Sequence, residues 1–343
     1  MPQDSNEILA RRLSIRSKLT ASLWAEDPAR DRGMRLLEIA RLYYEHGMGQ
    51  AEIAQAAGLS RPTIGRMLKE AREVGIVRIQ VSHPFERSVA LERAIHSRYG
   101  VQHVRASAQA PQESGFRAVA GECVALLDDL LVGGMRLGLT NGRVHSLLPD
   151  ALVGVRHRAV EVVQMSGRAG QSSRILDGAD LIERVADRLG GRAVTMPAPL
   201  LAPSAQAARD LRATPQVRAV LQSASEVDVA LIGIGAGFRH PASVFSGALT
   251  AEMVRRMHNL GAVGHVVGRF LDASGEEIHS LLEDRVIGTS LSELRRVPLV
   301  VALAAGPEKA PAIAAALRAG LIDILLVDVV AAQELAHLPE RGL

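Results

Sequence analysis

The sequence predicts a two-part α/β protein: a small helix-turn-helix module, winged-helix-like in outline, followed by a doubly wound, mainly parallel sheet. Three observations carry that prediction. Residues Gln50 to Val81, QAEIAQAAGLSRPTIGRMLKEAREVGIVRIQV, spell a helix, a tight turn, a second helix and a short strand. From about Val101 onward, short apolar strands alternate with amphipathic helices, the pattern of a parallel sheet covered on both faces. A 48% hydrophobic composition over 343 residues is enough for two or three domains with full cores.

The first thirty or so residues are polar and mixed in charge; Leu19–Trp24 has the pattern of a short helix, but 1–31 as a whole is read as a mobile arm. A helix-turn-helix domain follows over 32–83. Its supporting helix, Arg35–His46, has Leu36, Leu37, Ile39, Ala40 and Tyr43 at helical spacing. The next helix, Gln50–Ala57, ends at Gly58, which is able to take a positive φ. Ser60 has a capping oxygen and Pro62 sits in a first turn, where its missing N–H costs nothing, so a second helix begins there. Ile64, Met67, Leu68 and Ala71 form its buried stripe. Arg66 and Lys69 are left on the opposite face, with Arg61 and Thr63 beside the N-terminus, the positions that reach bases and phosphates when such a helix enters a major groove. Gln50, Ser60, Arg61, Thr63, Arg66 and Lys69 are therefore the candidate DNA contacts. Val77–Val81 alternates apolar and polar residues and reads as a strand, the wing. Residues 84–100 form a linker, Pro84 to Arg87, and a connecting helix, Ser88–Tyr99.

Charge separates this module from an ordinary pair of packed helices. Residues 1–88 contain 14 Lys and Arg against 11 Asp and Glu, an excess equal to the whole chain's net +3. So small an excess makes one copy a weak, salt-sensitive DNA binder, and a homo-oligomer, dimer or tetramer, multiplies the contacts. Aromatic residues are scarce at 3%, which argues against stacking platforms for single strands or RNA. The single cysteine, Cys123, excludes an internal disulfide or a cysteine metal cluster and reads as a small buried hydrophobe. The eleven histidines show neither HxxxH nor HExxH spacing, so no metal site is expected, and no cofactor. The absence of a long apolar run and of a signal-peptide core predicts a cytoplasmic protein without membrane contact.

The effector and oligomerisation domain, 101–343, has expected strands at Met135–Thr140, Val160–Met165, Arg192–Met196, Val227–Ile234, Leu299–Ala304 and Ile322–Val327. Expected helices are Phe116–Leu131, Ala179–Leu189, Leu249–Asn259, Ala310–Ala319 and Val329–His337. Ligands of such sheets bind beyond the strand carboxyl ends. Those loops are rich in glycine and small polar residues: Gly138 to Arg143, Ser166 to Arg168, Gly233 to Gly237, Gly261 to Gly264, and Ala305 to Lys309. Glycine admits close backbone approach, and the helix start after a loop presents N–H groups to an anion. Lys309 is one of only three lysines, and a compact point charge in a strand-to-helix loop suits a phosphate or an oxygen-rich ligand. The candidate effector residues are Thr140, Asn141, Gly142, Arg143, Ser166, Gly167, Gly235, His265 and Lys309, with His265 expected near its ordinary pKa of about 6.5 as a source of pH dependence.

From about Arg32 to Leu338 the chain resembles the SorC family of bacterial transcriptional regulators. The resemblance is carried by LYYEHGMGQAEIAQAAGLSRPTIGRMLKEAREVGIV at Leu42–Val77, VDVALIGIGAG at Val227–Gly237, LGAVGHVVGRFLDASGEEI at Leu260–Ile278 and VALAAGPEKAPAIAAALRAGLIDILLVD at Val301–Asp328. It implies an N-terminal DNA-binding domain and an effector domain similar in fold to ribose-phosphate isomerases and glucosamine-phosphate deaminases. It also implies a tetramer on operator DNA, with a sugar, polyol or sugar phosphate as inducer. Two positions depart from the family pattern. Arg143 and Val144 follow Gly142 where small hydroxylated residues are usual, and His265 replaces a common aspartate. Both add donors or positive charge, which points to an effector more anionic than a free polyol.

These readings converge on a ligand-responsive transcription factor of carbohydrate metabolism with double-stranded operator DNA as partner and no catalytic residues. The rival from another class is a sugar-phosphate isomerase or deaminase, since the effector domain resembles those enzymes in fold, but fold alone does not imply activity. Such an enzyme needs a positioned acid/base pair, and the candidate loops hold no paired carboxylates. A metabolite sensor acting through another protein is the third reading.

Overall fold

The structure, a computed structural model, describes residues 28–44, 46–77, 88–107, 113–153, 159–168, 178–236, 245, 249–279 and 282–339. The expected Leu19–Trp24 helix, the strand beyond Val77, the linker at Pro84 to Arg87 and Gly237 lie outside them. Contacts divide the chain into two compact units, Met1–Val81 and Ser82–Leu343.

In the first unit three helices share one small core. Helix α1, Pro28–Tyr44, begins earlier than the periodicity alone indicated, with a proline in its first turn. Helix α2, Gln50–Ala57, ends at Gly58 with φ 63°, the left-handed conformation that glycine takes without strain. Leu59 and Ser60 complete a three-residue turn into α3, Arg61–Glu73. Ser60 Oγ accepts from Thr63 N at 3.3 Å, capping α3 as its sequence requires. Ile39, Ile53, Ala54, Ile64 and Leu68 are buried together, and Arg32 on α1 grips Glu70 on α3 through two bonds of 2.7 and 2.9 Å.

The second unit opens with α4, Val89–Tyr99, and β1, His103–Ser107. Helix α5, Glu113–Leu130, leads to β2, Arg136–Leu139, the short α6, Leu148–Ala151, and β3, Glu161–Gln164. Then come α7, Gly178–Leu189, β4, Arg192–Val194, α8, Ala205–Ala213, and α9, Pro215–Ser225. The chain continues through β5, Val229–Ala236, α10, Ala251–Asn259, β6, Ala262–Val266, and β7, Arg269–Asp272. It closes with α11, Leu291–Leu294, β8, Leu299–Ala304, α12, Ala310–Arg318, β9, Ile324–Asp328, and α13, Val329–His337.

The main ladder runs β1-β9-β8-β5-β2-β3-β4 and is parallel throughout. Its strands send alternate residues to two cores, as the period of two demands. Val229 and Leu231 of β5 join α5 and α7 on one face, while Ala230, Ile232 and Ile234 join α12 and α13 on the other. This is the doubly wound α/β arrangement the sequence predicts. Cys123 is fully buried in the first core, and burial pushes its thiol up to about 12. No helix among the described residues is long and apolar enough to cross a membrane.

Gly261 to Gly264 is corrected by the structure. Residues 262–266 form a strand, not a strand-to-helix loop; β6 pairs antiparallel with the end of β5 and with β7. Gly264 is required by close packing, since a Cβ there would overlap Ala312 Cβ and stand 2.6 Å from the carbonyl oxygen of Gly235. Helices α8 and α9 also lie where the sequence reading had placed no element. Gly264→Ala should therefore lower stability by about 1–3 kcal/mol through overpacking, read as a fall in the urea midpoint; an unchanged midpoint contradicts the close packing.

Candidate functional site

The chain runs outward from β2 through β3 to β4, returns to place β5 on the other side of β2, and then runs outward through β8 and β9. The sheet therefore reverses its winding between β2 and β5, and a crevice opens at their carboxyl ends. A small cleft lies there. Asn141, Gly142 and Arg143 come from the loop after β2, Gly235 from β5, His265 from β6 and Lys309 from the turn before α12; all six line it.

Arg143 is exposed, with its guanidinium 4.1 Å from the centre of the Phe116 ring, a cation–π contact that orients it. Lys309 turns inward and donates from Nζ to the carbonyl of Ile234. Burial lowers its pKa to about 8; Glu308 opposes the shift and Arg143 adds to it. Among the described residues the cleft thus holds two cations and one carboxylate, Glu308, beside the glycines of β5.

His265 does not titrate where the sequence placed it. It is 6% exposed, and burial first, then the Lys309 charge, pushes its pKa down to about 3. It is neutral at pH 7, so it contributes hydrogen-bonding capacity and no positive charge. The ring lies over Gly235, where a Cβ would overlap it. That explains the glycine: it leaves room for an imidazole on the paired strand.

Three candidates sit elsewhere. Thr140 is buried, and its Oγ1 accepts from Gly233 N at 2.9 Å, tying β2 to β5 below the cleft. Ser166 is buried in a bridge to Gly288. Gly167 N donates to Ile287 O at 2.9 Å, and a Cβ on Gly167 would overlap the Pro199 carbonyl. Gly167 acts one step removed, its own carbonyl accepting from Asn141 Nδ2 at 3.3 Å. The sequence reading missed His145 and Phe116. His145 is fully buried, lines the cleft, and has its pKa lowered to about 4, by burial first. Its only signal was a histidine three residues after Gly142, in the stretch that follows the first glycine-rich loop.

In the first unit Arg61, Arg66 and Lys69 are exposed on α3. Lys69 faces Glu73 at 3.6 Å, one turn on. Thr63 and Ser60 share a 2.8 Å bond between their hydroxyls, and Gln50, half-buried at the start of α2, points its amide oxygen toward Gly65. Ser60, Thr63 and Gln50 thus frame the start of α3, and the arginines and lysine supply its charge.

The structural role given to Thr140 has a direct check. Thr140→Val leaves the half-buried Gly233 N–H without its partner, which should cost about 1 kcal/mol. The melting temperature should fall with little change in anion affinity measured by titration calorimetry; the converse would make Thr140 a ligand contact.

The family described as "Putative sugar-binding domain" matches residues 83–337. The chain is 31% identical over 295 residues to the transcriptional regulator LsrR of Enterobacter sp. (strain 638), covering 84% of this chain and 88% of that protein. To LsrR of Escherichia coli (strain K12) it is 31% identical over 299 residues, covering 86% and 92%. Among solved structures, the full-length sorbitol operon regulator SorC from Klebsiella pneumoniae superposes with a TM-score of 0.67 at 25% identity, covering 89% of this chain and 99% of that one. A sugar-binding domain of a transcriptional repressor from Vibrio fischeri gives 0.66 at 27% identity, covering 72% and 98%. The family match over residues 83–337, the regulators of 31% identity and the superposition on SorC leave one conclusion: the chain belongs to the SorC family of sugar-binding transcriptional regulators.

Proposed function

We propose that this regulator binds palindromic operator DNA through α3 and senses an anionic sugar derivative, a sugar phosphate being the simplest member, in the cleft between β2 and β5. The observation that carries the effector reading is the inward-turned Lys309 ammonium beside Arg143, at the start of α12. A cation withdrawn from water on the wall of an open cleft favours an anion entering it. Polar groups from Asn141 and the two histidines surround that charge and suit hydroxyls. In this reading the cleft binds and releases its ligand unchanged.

The DNA reading rests on Arg61, Arg66 and Lys69 along the exposed face of α3. One copy offers few cations, so operator affinity comes from a dimer or tetramer held by the second unit. The regulator then works in the cytoplasm, where operator and metabolite meet.

Arg66→Ala should weaken operator binding by about 1–3 kcal/mol without unfolding the protein. Fluorescence anisotropy across operator variants and salt concentrations tells a base contact, which relaxes one position, from a phosphate contact, which weakens all sequences alike. Full affinity on every DNA would remove Arg66 from the interface.

Lys309→Ala should abolish the effector response while operator binding persists. In the unsubstituted protein Lys309 is charged below its pKa of about 8. Anion affinity is therefore full below that value and falls about tenfold per pH unit above it. Calorimetric titrations from pH 6 to pH 9.5 read this directly; a flat profile would show that Lys309 does not hold the anion.

A further inference from the structure

The cleft carries more buried polar chemistry than an anion alone uses. His145 is 0% exposed and His265 6%, both line the opening, and His145 Nδ1 and both ring nitrogens of His265 have no hydrogen-bond partner among the described residues.

The geometry fixes what His145 offers. A carbonyl only accepts, so Nε2, 3.2 Å from Leu231 O, carries the proton and Nδ1 is left as a lone-pair acceptor. Nδ1 stands 2.9 Å and 3.6 Å from the points where a Cβ on Gly142 or Gly233 would lie. Two bare glycines on the cleft wall thus give this nitrogen its place. His265 lies over the third, Gly235, with Phe245 and Phe270 in edge-to-face contact at 5.0 and 5.8 Å between ring centres. The alternation of glycines in β5 is therefore matched by two imidazoles on one face of that strand.

Burial keeps both rings uncharged at neutral pH, and Lys309 close by pushes them further the same way. The His145 donor is already committed to Leu231 O, so that ring offers a ligand one acceptor, while His265 offers one donor and one acceptor; together they suit hydroxyl groups, which both donate and accept. An alkyl chain entering beside them would leave that capacity unmet in a closed site, whereas a hydroxylated chain meets it.

We infer that His145 and His265 are the specificity-determining residues of this cleft, two imidazoles that bond hydroxyl groups of a polyhydroxylated ligand whose anionic end rests on Lys309 and Arg143. This rests on the anionic-sugar reading above and narrows it to ligands that keep free hydroxyls near the anionic group.

The test is calorimetric titration of the full chain with D-ribose 5-phosphate, D-glucose 6-phosphate and D-glucitol 6-phosphate, each set against the n-alkyl phosphate of equal carbon number. The unsubstituted protein should bind its best polyol phosphate at least about tenfold more tightly than the matched alkyl phosphate. That ratio should fall to about one in His145→Leu and in His265→Phe. His145→Asn, which keeps a polar group near the Nδ1 position, should recover most of it, an effect that a purely structural role does not produce. Should His145→Leu fail to melt cooperatively, His265→Phe gives the same readout. A ratio near one in the unsubstituted protein, or an unchanged ratio in the variants, overturns the inference alone. If neither ligand class binds the unsubstituted protein, the anionic-sugar reading falls and takes this inference with it.

Discussion

Beyond the pairing of Gly233 with Leu303, β5 outruns its parallel neighbours, and the backbone groups it then exposes must find other partners. Most of the cleft follows from that requirement. The antiparallel strand β6 takes up residues 234–236 and brings His265 across Gly235. The carbonyl of Ile234 becomes the acceptor on which Lys309 rests, which draws the start of α12 toward β5. On the other side Gly233 N is met by Thr140 Oγ1, which ties the start of the β2 loop to β5. One overlong strand thus engages side chains from three separate stretches of chain.

The electrostatics of the cleft come from the same crowding. Lys309, His145 and His265 share a poorly hydrated space, and each is pushed toward its uncharged form. The histidines give up their charge fully, whereas Lys309 keeps most of its own at neutral pH because its ordinary pKa starts far higher. Arg143, exposed and stacked on Phe116, stays charged at the rim. The cleft is graded, with a fixed cation outside and an adjustable one within.

Much of this was legible in the sequence because it rests on local chemistry. Gly58, Ser60 and Pro62 specify a turn between two helices wherever they occur in that order, and the structure places the cap and the positive φ at those residues. Continuous apolar strands alternating with helices specify a parallel sheet, and the glycine-rich loops mark the strand ends where the cleft opens. The remainder depended on pairing between distant residues. Gly261 to Gly264 reads locally as a loop, and only the partner strand β5 and the Ala312 side chain explain its glycines. Ser166 and Gly167 match a phosphate cradle in composition, yet the neighbouring segments at Pro199 and Ile287 claim them. His265 has an ordinary pKa until Phe245, Phe270 and the paired strand β5 enclose it, and His145 gains meaning only when the Leu231 carbonyl fixes its proton.

The reversal of winding also divides the sheet mechanically. Strands β2, β3 and β4 form one leaf and β5, β8, β9 and β1 the other, and the seam between them is a ladder of three residue pairs, Leu137 with Val229, Gly138 with Ala230 and Leu139 with Leu231. The neighbouring ladder of β5 with β8 has five. A ligand that touches Asn141 on one leaf and Lys309 on the other spans this short seam like a rivet. Occupancy of the cleft would then be felt as stiffness along the whole seam: amide protons of β2 and β5 would exchange more slowly with solvent, and the two leaves would move as a single plate.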